Sequence, residues 1–496
     1  MRLTLPARAE VESAVAVWRG MHHPLDQLLR QLPAETALRR FGLALWEGGQ
    51  LKAAIHILLA AAALAPEEAA IWRDLANLLC ADGRHDEAQA AIEMALAKDP
   101  AQPQSWVLLA TILNGAHKFP DAERAFRIAI EQDPNSAEAS FGLGILMFRQ
   151  HRMDESIDCL RKARAAGAHN VGLYVCLGQA LFLTGRFIEA AEAFDRAARL
   201  EPVDKEIIEK VALLQFIRIV IEDGSTEAAY AKYCDLVGTA AEDLHSLAYK
   251  VFHLLTAYGY RDGALRLAQS QLAAAPEDPV CRYLVAVASG DNASRAPQDY
   301  VVNYFNRFAA TFDHQLQRVL HYRVPQELHA LIAARRPAFA RMLDLGCGTG
   351  LAARFLKAFE GHLTGVDLSP LMLEKARERG LYDTLVEAEA TEFLAGKAAA
   401  FDLIFAADTL IYFGDLSELF ERAAAALLPG GLFAFSLETG EGATYELRLS
   451  GRFAHGLAYV EGLGQSRFAT ESVTPTTLRT EAGRPILGAL VIMRRL

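Results

Sequence analysis

Residues 341–350 read Arg-Met-Leu-Asp344-Leu-Gly346-Cys347-Gly348-Thr-Gly350, a short apolar run that ends in an acid and then places glycines at three alternate positions. Such a run is too short for a helix, and residues without Cβ follow it. It is expected to be a buried parallel strand that turns sharply into a loop whose bare backbone lies against a ligand. Dinucleotide-binding folds use a comparable loop, but their fingerprint needs a further glycine five positions after the first, and Leu351 stands there. Asp344 ahead of the glycines would repel a pyrophosphate and suits a ligand that carries an ammonium group.

S-adenosylmethionine meets both conditions, having an amino-acid ammonium and no phosphate. Downstream, short apolar runs alternate with helical stretches, with candidate strands at 341–345, 363–366, 384–387, 403–406, 432–437 and 487–493. This is the pattern of a mainly parallel sheet covered on both faces, in which a ligand sits outside the carboxyl ends of the strands. Asp367, with Leu368 beside it, ends the second strand, where a carboxylate can accept hydrogen bonds from both ribose hydroxyls. Glu389-Ala390 follow the third, where an acid can accept from the adenine amino group while a backbone N–H meets the ring; such charge-assisted bonds contribute roughly 1.5–3 kcal/mol each. The fourth runs into Ala406-Ala407-Asp408-Thr409-Leu410-Ile411-Tyr412, and Leu428-Pro-Gly-Gly431 forms the expected turn before the fifth. The candidate cofactor-binding set is therefore Asp344, Gly346, Gly348, Gly350, Asp367, Leu368, Glu389, Ala390 and Ala406.

In that order and spacing, DLGCGTG, VD, AEA, FDLIFAAD and LLPGG resemble the class I S-adenosylmethionine-dependent methyltransferases over essentially residues 300–496. With YFNRFAATFD and LHYRVP ahead of the glycine loop, the region is similar to a bacterial family of methyltransferases that carry tetratricopeptide repeats. The resemblance implies a Rossmann-like α/β domain with a seven-stranded sheet whose last strand is antiparallel, S-adenosyl-L-methionine as cofactor, and an acceptor beneath a lid. It also implies that the helix before the first strand closes over the cofactor; Tyr304, Phe308 and Phe312 are suitable aromatics there, core packing being the alternative. Methyl transfer is an in-line displacement at a sulfonium, so alignment supplies much of the acceleration and a base is a minor contributor. Tyr412 stands where related small-molecule enzymes often place a histidine. Asp408 faces cofactor or substrate, or caps the next helix. His455 is the remaining candidate catalytic residue, as a base or as a structural group. The Asn/Asp-Pro-Pro-Tyr/Phe motif is absent, which disfavours methylation of DNA bases and glutamine amides.

Upstream, the sequence repeats with a period of 34: Trp72, Leu75, Ala76, Leu79, Ala88, Ile92, Ala95 and Pro100 recur as Trp106, Leu109, Ala110, Leu113, Ala122, Phe126, Ala129 and Pro134. Frames at Glu35 (Gly42, Ala54, Ala61, Pro66) and Val171 (Tyr174, Gly178, Ala190, Phe194, Ala197, Pro202) fit as well, and Ala137 opens a weaker one. This is the helix–turn–helix period of tetratricopeptide arrays, in which small residues let two helices approach, large ones fill the gap and proline ends the second helix. The predicted organisation is an N-terminal helical cap (1–34), five repeats (35–204), degenerate repeat-like helices with a capping helix (205–288), a linker rich in small and turn-forming residues (289–299) and the methyltransferase domain (300–496). An all-α solenoid thus precedes an α/β domain. Inward positions Trp46, Arg73, Asn77, Asn114, Phe141, Phe148, Gln179 and Phe182 are candidates for holding a protein or peptide, with inter-repeat packing as the alternative.

The net charge is -11; residues 1–299 carry 30 Lys and Arg against 39 Asp and Glu. An acidic surface disfavours broad nucleic-acid binding. Six cysteines without a C-x-x-C pair read as reduced thiols, with no zinc site, and no apolar run reaches the roughly 20 residues of a membrane span. A cytoplasmic enzyme is expected, acting on a small-molecule acceptor or one held by a carrier or peptide, with the solenoid recruiting a protein partner or substrate. The alternatives are a cofactor-binding scaffold without turnover, and a protein methyltransferase recruited through the repeat groove.

Overall fold

The computed structural model describes residues 4–201, 204–222, 224–238, 244–309, 312–314, 322–481 and 484–496. The chain divides into two compact units, Met1–Arg218 with Ala231–Thr239, and Ile219–Tyr230 with Ala240–Leu496.

The first unit is a helical array. Paired helices span Ala34–Glu47 and Leu51–Leu64, Ala69–Ala81 and His85–Lys98, Pro103–Gly115 and Phe119–Gln132, Ala137–Arg149 and Met153–Ala165, Val171–Leu183 and Phe187–Leu200. The pairing rests on one recurring close approach. A Cβ on Gly144 would lie 2.8 Å from Leu160, and one on Gly178 would lie 2.6 Å from the ring of Phe194. Gly42 faces Leu58 in the first pair in the same way, at 3.2 Å. Each of these small residues lies 16 positions before its large partner, and the pairs recur in the 34-residue frame. The Trp72 and Trp106 indoles donate to the carbonyls of Pro66 and Pro100, both at 2.9 Å, tying each helix to the proline that ends the preceding one. Pro202 lies outside the described residues. No helix among the described residues is long and apolar enough to cross a membrane.

The second unit carries the sheet. Its strands are β1 (Arg341–Leu345), β2 (His362–Asp367), β3 (Thr384–Glu387), β4 (Phe401–Ala406), β5 (Leu427–Thr439), β6 (Tyr445–Leu447), β7 (Phe453–His455), β8 (Phe468–Glu481) and β9 (Arg484–Arg495). They run in the order β3-β2-β1-β4-β5, with β9 antiparallel against β5, β8 against β9, and β7 and β6 continuing beyond the carboxyl end of β5. β1 to β5 pair in parallel as their apolar runs predict, and β4 is buried along its whole length. The described sheet is nine-stranded where seven were expected. The additional strands come from Glu438–Thr480, where the sequence shows no regular pattern. Leu428–Gly431, expected as a turn, lies within β5, where Gly430 takes φ 76° and the register against β4 shifts.

Helices Leu244–Ala257, Arg261–Ala274 and Pro279–Ser289 fall in this unit together with the sheet. Tyr300, completely buried, packs against Tyr249, His253 and Tyr283, and the Tyr283 hydroxyl donates to the Gly451 carbonyl at 3.0 Å. Residues 289–299, read as a linker, are bonded into the unit: Ala296 N–H donates to the Tyr412 carbonyl at 2.9 Å, and Gly414 and Asp415 N–H both donate to the Ser294 carbonyl.

Candidate functional site

At the carboxyl ends of β1, β2 and β4, where parallel strands leave their last backbone groups unpaired, the second unit opens a cavity. The glycine loop forms its floor. Gly346, Gly348 and Gly350 all take positive φ, at 75°, 53° and 80°, which side chains rarely adopt. A Cβ on Gly348 would meet only the Phe312 ring, at 3.9 Å, and would occupy the cavity itself. Gly346 is pressed instead against Thr409, and Gly350 against Tyr382, so that Gly350 shapes the turn without lining the cavity.

Asp344 is buried at the end of β1, lines the cavity and accepts a hydrogen bond from the Tyr382 hydroxyl at 2.6 Å. Burial raises its carboxyl to about 7, against the pull of that hydrogen bond. Asp367 accepts from Gly348 N–H and Ser369 N–H, both at 2.8 Å; burial pushes its carboxyl up while these bonds pull it back. Leu368 and Ala390 line the same wall, Ala390 in the first turn of helix Ala390–Leu394, where N–H groups lack intrahelical acceptors. Glu389 lines it as well, but its carboxylate is committed: Arg295 ion-pairs with one oxygen, while the Thr391 hydroxyl and Glu392 N–H donate to the other. Its local role is the helix N-cap. Ala406 is buried within β4, and Ala407 meets the cavity in its place.

The roof comes from helix Gln298–Phe308 and segment Phe312–His314. Tyr304, Phe305 and Phe312 line the cavity; the side chain of Phe308 lies outside the described residues. The helix is held by Ser369, whose hydroxyl bonds Asn306 at 2.7 Å, and the segment by Asp313, which accepts from Thr349 at 2.5 Å and ion-pairs with Arg379.

The far end of the cavity holds Asp408, Tyr412, Arg452 and Arg479. Tyr412 ends a short 3-10 turn, Leu410–Tyr412, and burial raises its phenol far above the ordinary range. Asp408, at φ 54°, accepts from Arg479 at 3.0 Å and from the Ser436 hydroxyl at 3.2 Å; burial raises its carboxyl and Arg479 opposes this. His455 does not line the cavity. Its Nε2 donates to the carbonyls of Phe413 (2.8 Å) and Gly414 (3.2 Å), and burial lowers the ring to about 4, so it pins the turn behind Tyr412 and stays neutral. Its place in β7, facing that turn, is the reason it cannot act on a ligand as the sequence reading allowed. Among the described residues no group of His, Cys, Asp and Glu is arranged to hold a metal ion.

A family model described as Methyltransferase domain matches residues 343–435, and three described as Tetratricopeptide repeat match 45–112, 107–171 and 171–202. A ubiquinone biosynthesis O-methyltransferase of Xylella fastidiosa is 32% identical over 182 residues, 32% of this chain and 73% of that protein. The chain belongs to the S-adenosylmethionine-dependent methyltransferases. A malonyl-[acyl-carrier protein] O-methyltransferase of Geobacter sulfurreducens is 34% identical over 158 residues, 31% of this chain, and the match spans 58% of that relative's length. The solved structure of an S-adenosylmethionine-dependent methyltransferase from Mesorhizobium loti is 27% identical, covering 34% of this chain and 96% of its own, with a TM-score of 0.28.

Within this methyltransferase domain, sequence reasoning missed Arg295, Arg452 and Arg479. Arg295 lies in the stretch read as a linker. Arg452 stands three positions before His455, the residue singled out there. Arg479 belongs to β8, which no pattern announced. Each acquires meaning only from acids distant in sequence, and no local signal marks them.

In the solenoid, Arg73 donates to Gln102 at 3.0 Å, and Asn114 accepts from Arg149 at 2.7 Å. Phe141 packs against the Ala163–Leu173–Tyr174 cluster, Phe182 against Phe187 at 5.6 Å, and Trp46 against the solenoid core. Phe148 and Gln179 are half-buried, and Asn77 is exposed.

Proposed function

We propose that the protein transfers the methyl group of S-adenosylmethionine to an oxygen of a small or carrier-held acceptor, in the cavity at the carboxyl ends of β1, β2 and β4. One observation carries the reading: the Gly348 backbone lies bare to the cavity between two acids, the buried Asp344 and the half-buried Asp367, with apolar walls and an aromatic roof. That donor set fits the cofactor. In this reading Asp344 receives its ammonium, Asp367 and Leu368 its ribose, and Ala390 N–H its adenine. Bound there, the cofactor supplies an electrophilic methyl on a sulfonium. Tyr304, Phe305 and Phe312 exclude water from that centre, and the Asp408–Tyr412 end aligns the acceptor. Relatives named as O-methyltransferases support oxygen as the accepting atom.

Calorimetry of the full chain with S-adenosylhomocysteine tests the cofactor half. Asp367→Ala is expected to weaken binding about tenfold or more, and a folded wild-type chain that does not bind overturns the reading. Incubation with methyl-labelled cofactor and extract tests the transfer half, since a labelled product identifies the acceptor.

For the solenoid the reading is recruitment of a protein partner, supported by the repeats themselves and by the exposed Asn77. Because Phe141 is packed into the array, Asn77→Ala is the better probe. Loss of partner capture at unchanged stability is the expected result.

A further inference from the structure

At the acceptor end of the cavity, away from Asp344 and Asp367, which the reading above gives to the cofactor, no group among the described residues is free to serve as a base at neutral pH. Both oxygens of Asp408 already accept hydrogen bonds, from Arg479 and Ser436. Tyr412 and Tyr322 are held far above the ordinary phenol range by burial, the Cys347 thiol is likewise raised, and among the described residues no histidine or lysine lines the cavity. An alcohol, phenol or ammonium acceptor would have to lose a proton to one of these groups. A carboxylic acid arrives already ionised.

The same end of the cavity offers a cation. Arg479 is 2% exposed and engaged at all three nitrogens, which meet Asp408 at 3.0 Å, Glu481 at 2.7 Å and Glu438. Arg452 differs. One of its terminal nitrogens ion-pairs with Glu481 and stands 4.0 Å from Glu438, while the guanidinium, 15% exposed, lines the cavity beside Tyr412. Tyr304, Arg448, Glu446 and His253 complete the titratable and charged surroundings. Glu438, Glu446 and Glu481 do not line the cavity, so among the described residues the charged groups lining it at this end are Arg452, Arg479 and Asp408. The walls beside them, Val301, Phe305 and Ile411, are apolar.

We propose that the acceptor is a small carboxylic acid with an apolar tail, whose carboxylate is bound by the Arg452 guanidinium and the Tyr412 hydroxyl and is methylated on oxygen. This deepens, and rests on, the methyl-transfer reading above. One carboxylate oxygen forms its bond to the methyl carbon as the carbon–sulfur bond breaks and the electron pair goes to sulfur. The acid leaves as a neutral methyl ester, and no proton changes hands. Arg479 acts only through Asp408 and Glu438, as a positioning residue.

The test uses the full chain saturated with S-adenosylhomocysteine. Butanoate, hexanoate, phenylacetate and succinate are titrated calorimetrically beside their alcohol and amine counterparts. At least one acid is expected to bind tenfold or more tighter than its counterparts. Arg452→Gln should abolish that preference and Arg452→Lys should keep part of it, both with unchanged affinity for S-adenosylhomocysteine. The lysine variant retains a charge for Glu481 if the glutamine variant fails to fold. With methyl-labelled S-adenosylmethionine, the product from the preferred acid should release its label as methanol in mild alkali, as an ester does. Preference for an alcohol or amine, no binding of any of the acids, acid binding unaffected in both Arg452 variants, or an alkali-stable product overturns the carboxylate proposal. Failure of the folded chain to bind S-adenosylhomocysteine would instead overturn the transfer reading, so the two failures are distinguishable.

Discussion

The Asp344 carboxyl, raised by burial to about 7 beside the glycine loop, should make cofactor affinity pH-dependent in the proposed role of ammonium partner. Only the ionised form attracts an ammonium. The affinity for S-adenosylhomocysteine is therefore expected to fall as pH drops below 7, towards tenfold per unit. Asp344→Asn should bind more weakly at pH 8 and show no such slope; calorimetry from pH 5 to 8 checks both. Stability of the unliganded protein runs the other way. The fold raises this pKa above its unfolded value near 3.8, so the protonated form is the stabilised one, and its contribution is lost as pH climbs through 7. Tyr412, with its proton firmly held, is a donor and not a base. Tyr412→Phe should lower kcat/KM by roughly 2- to 12-fold, the value of one hydrogen bond, with cofactor affinity unchanged. Arg479 is different in kind: Arg479→Met would take from Glu438 its buried partner, leaving it Arg448 at 3.2 Å, and is expected to cost about 1.5–3 kcal/mol, visible as a lowered unfolding midpoint. Asp344 and Asp367 were legible in the sequence because they sit inside a motif. The three arginines were not, because their partners lie elsewhere in the chain.

At the scale of elements, the repeat's close approaches give a direct test. A Cβ on Gly178 would lie 2.6 Å from the ring of Phe194, between helices Val171–Leu183 and Phe187–Leu200, so the helices must part or the ring must leave its rotamer. Gly178→Ala is expected to destabilise the first unit by about 1–3 kcal/mol, although alanine favours helix by nearly 1 kcal/mol. Denaturant unfolding followed by circular dichroism measures it, and unchanged stability would show that the pair accommodates a methyl group. These contacts were readable in advance because they lie within one repeat. β8 was not. Its residues alternate little in burial, and it is defined by pairing with β9 over most of its length.

For the whole molecule, the packing of Tyr300 determines where the catalytic unit can be cut. A chain starting near residue 296 would remove Tyr249, His253 and Tyr283 from around it, and with them the Gly451 carbonyl's partner. A fragment of residues 240–496 is expected to be soluble and to bind S-adenosylhomocysteine, whereas 296–496 should aggregate or bind more weakly. Equal solubility and affinity of the two would show that the helices of 244–289 are dispensable. The sequence by itself determined the period of the solenoid, the places of the parallel strands along the chain, the glycine loop and its two acids, since each follows from local pattern and from backbone geometry that only certain residues allow. Only the tertiary structure decided that the helices of 244–289 pack with the sheet, that Glu389 is paired with Arg295, that His455 is walled off, and that Arg452 lines the cavity. Each of these depends on burial and charge pairing between residues tens to hundreds of positions apart, and pattern along the chain carries no information about such distances.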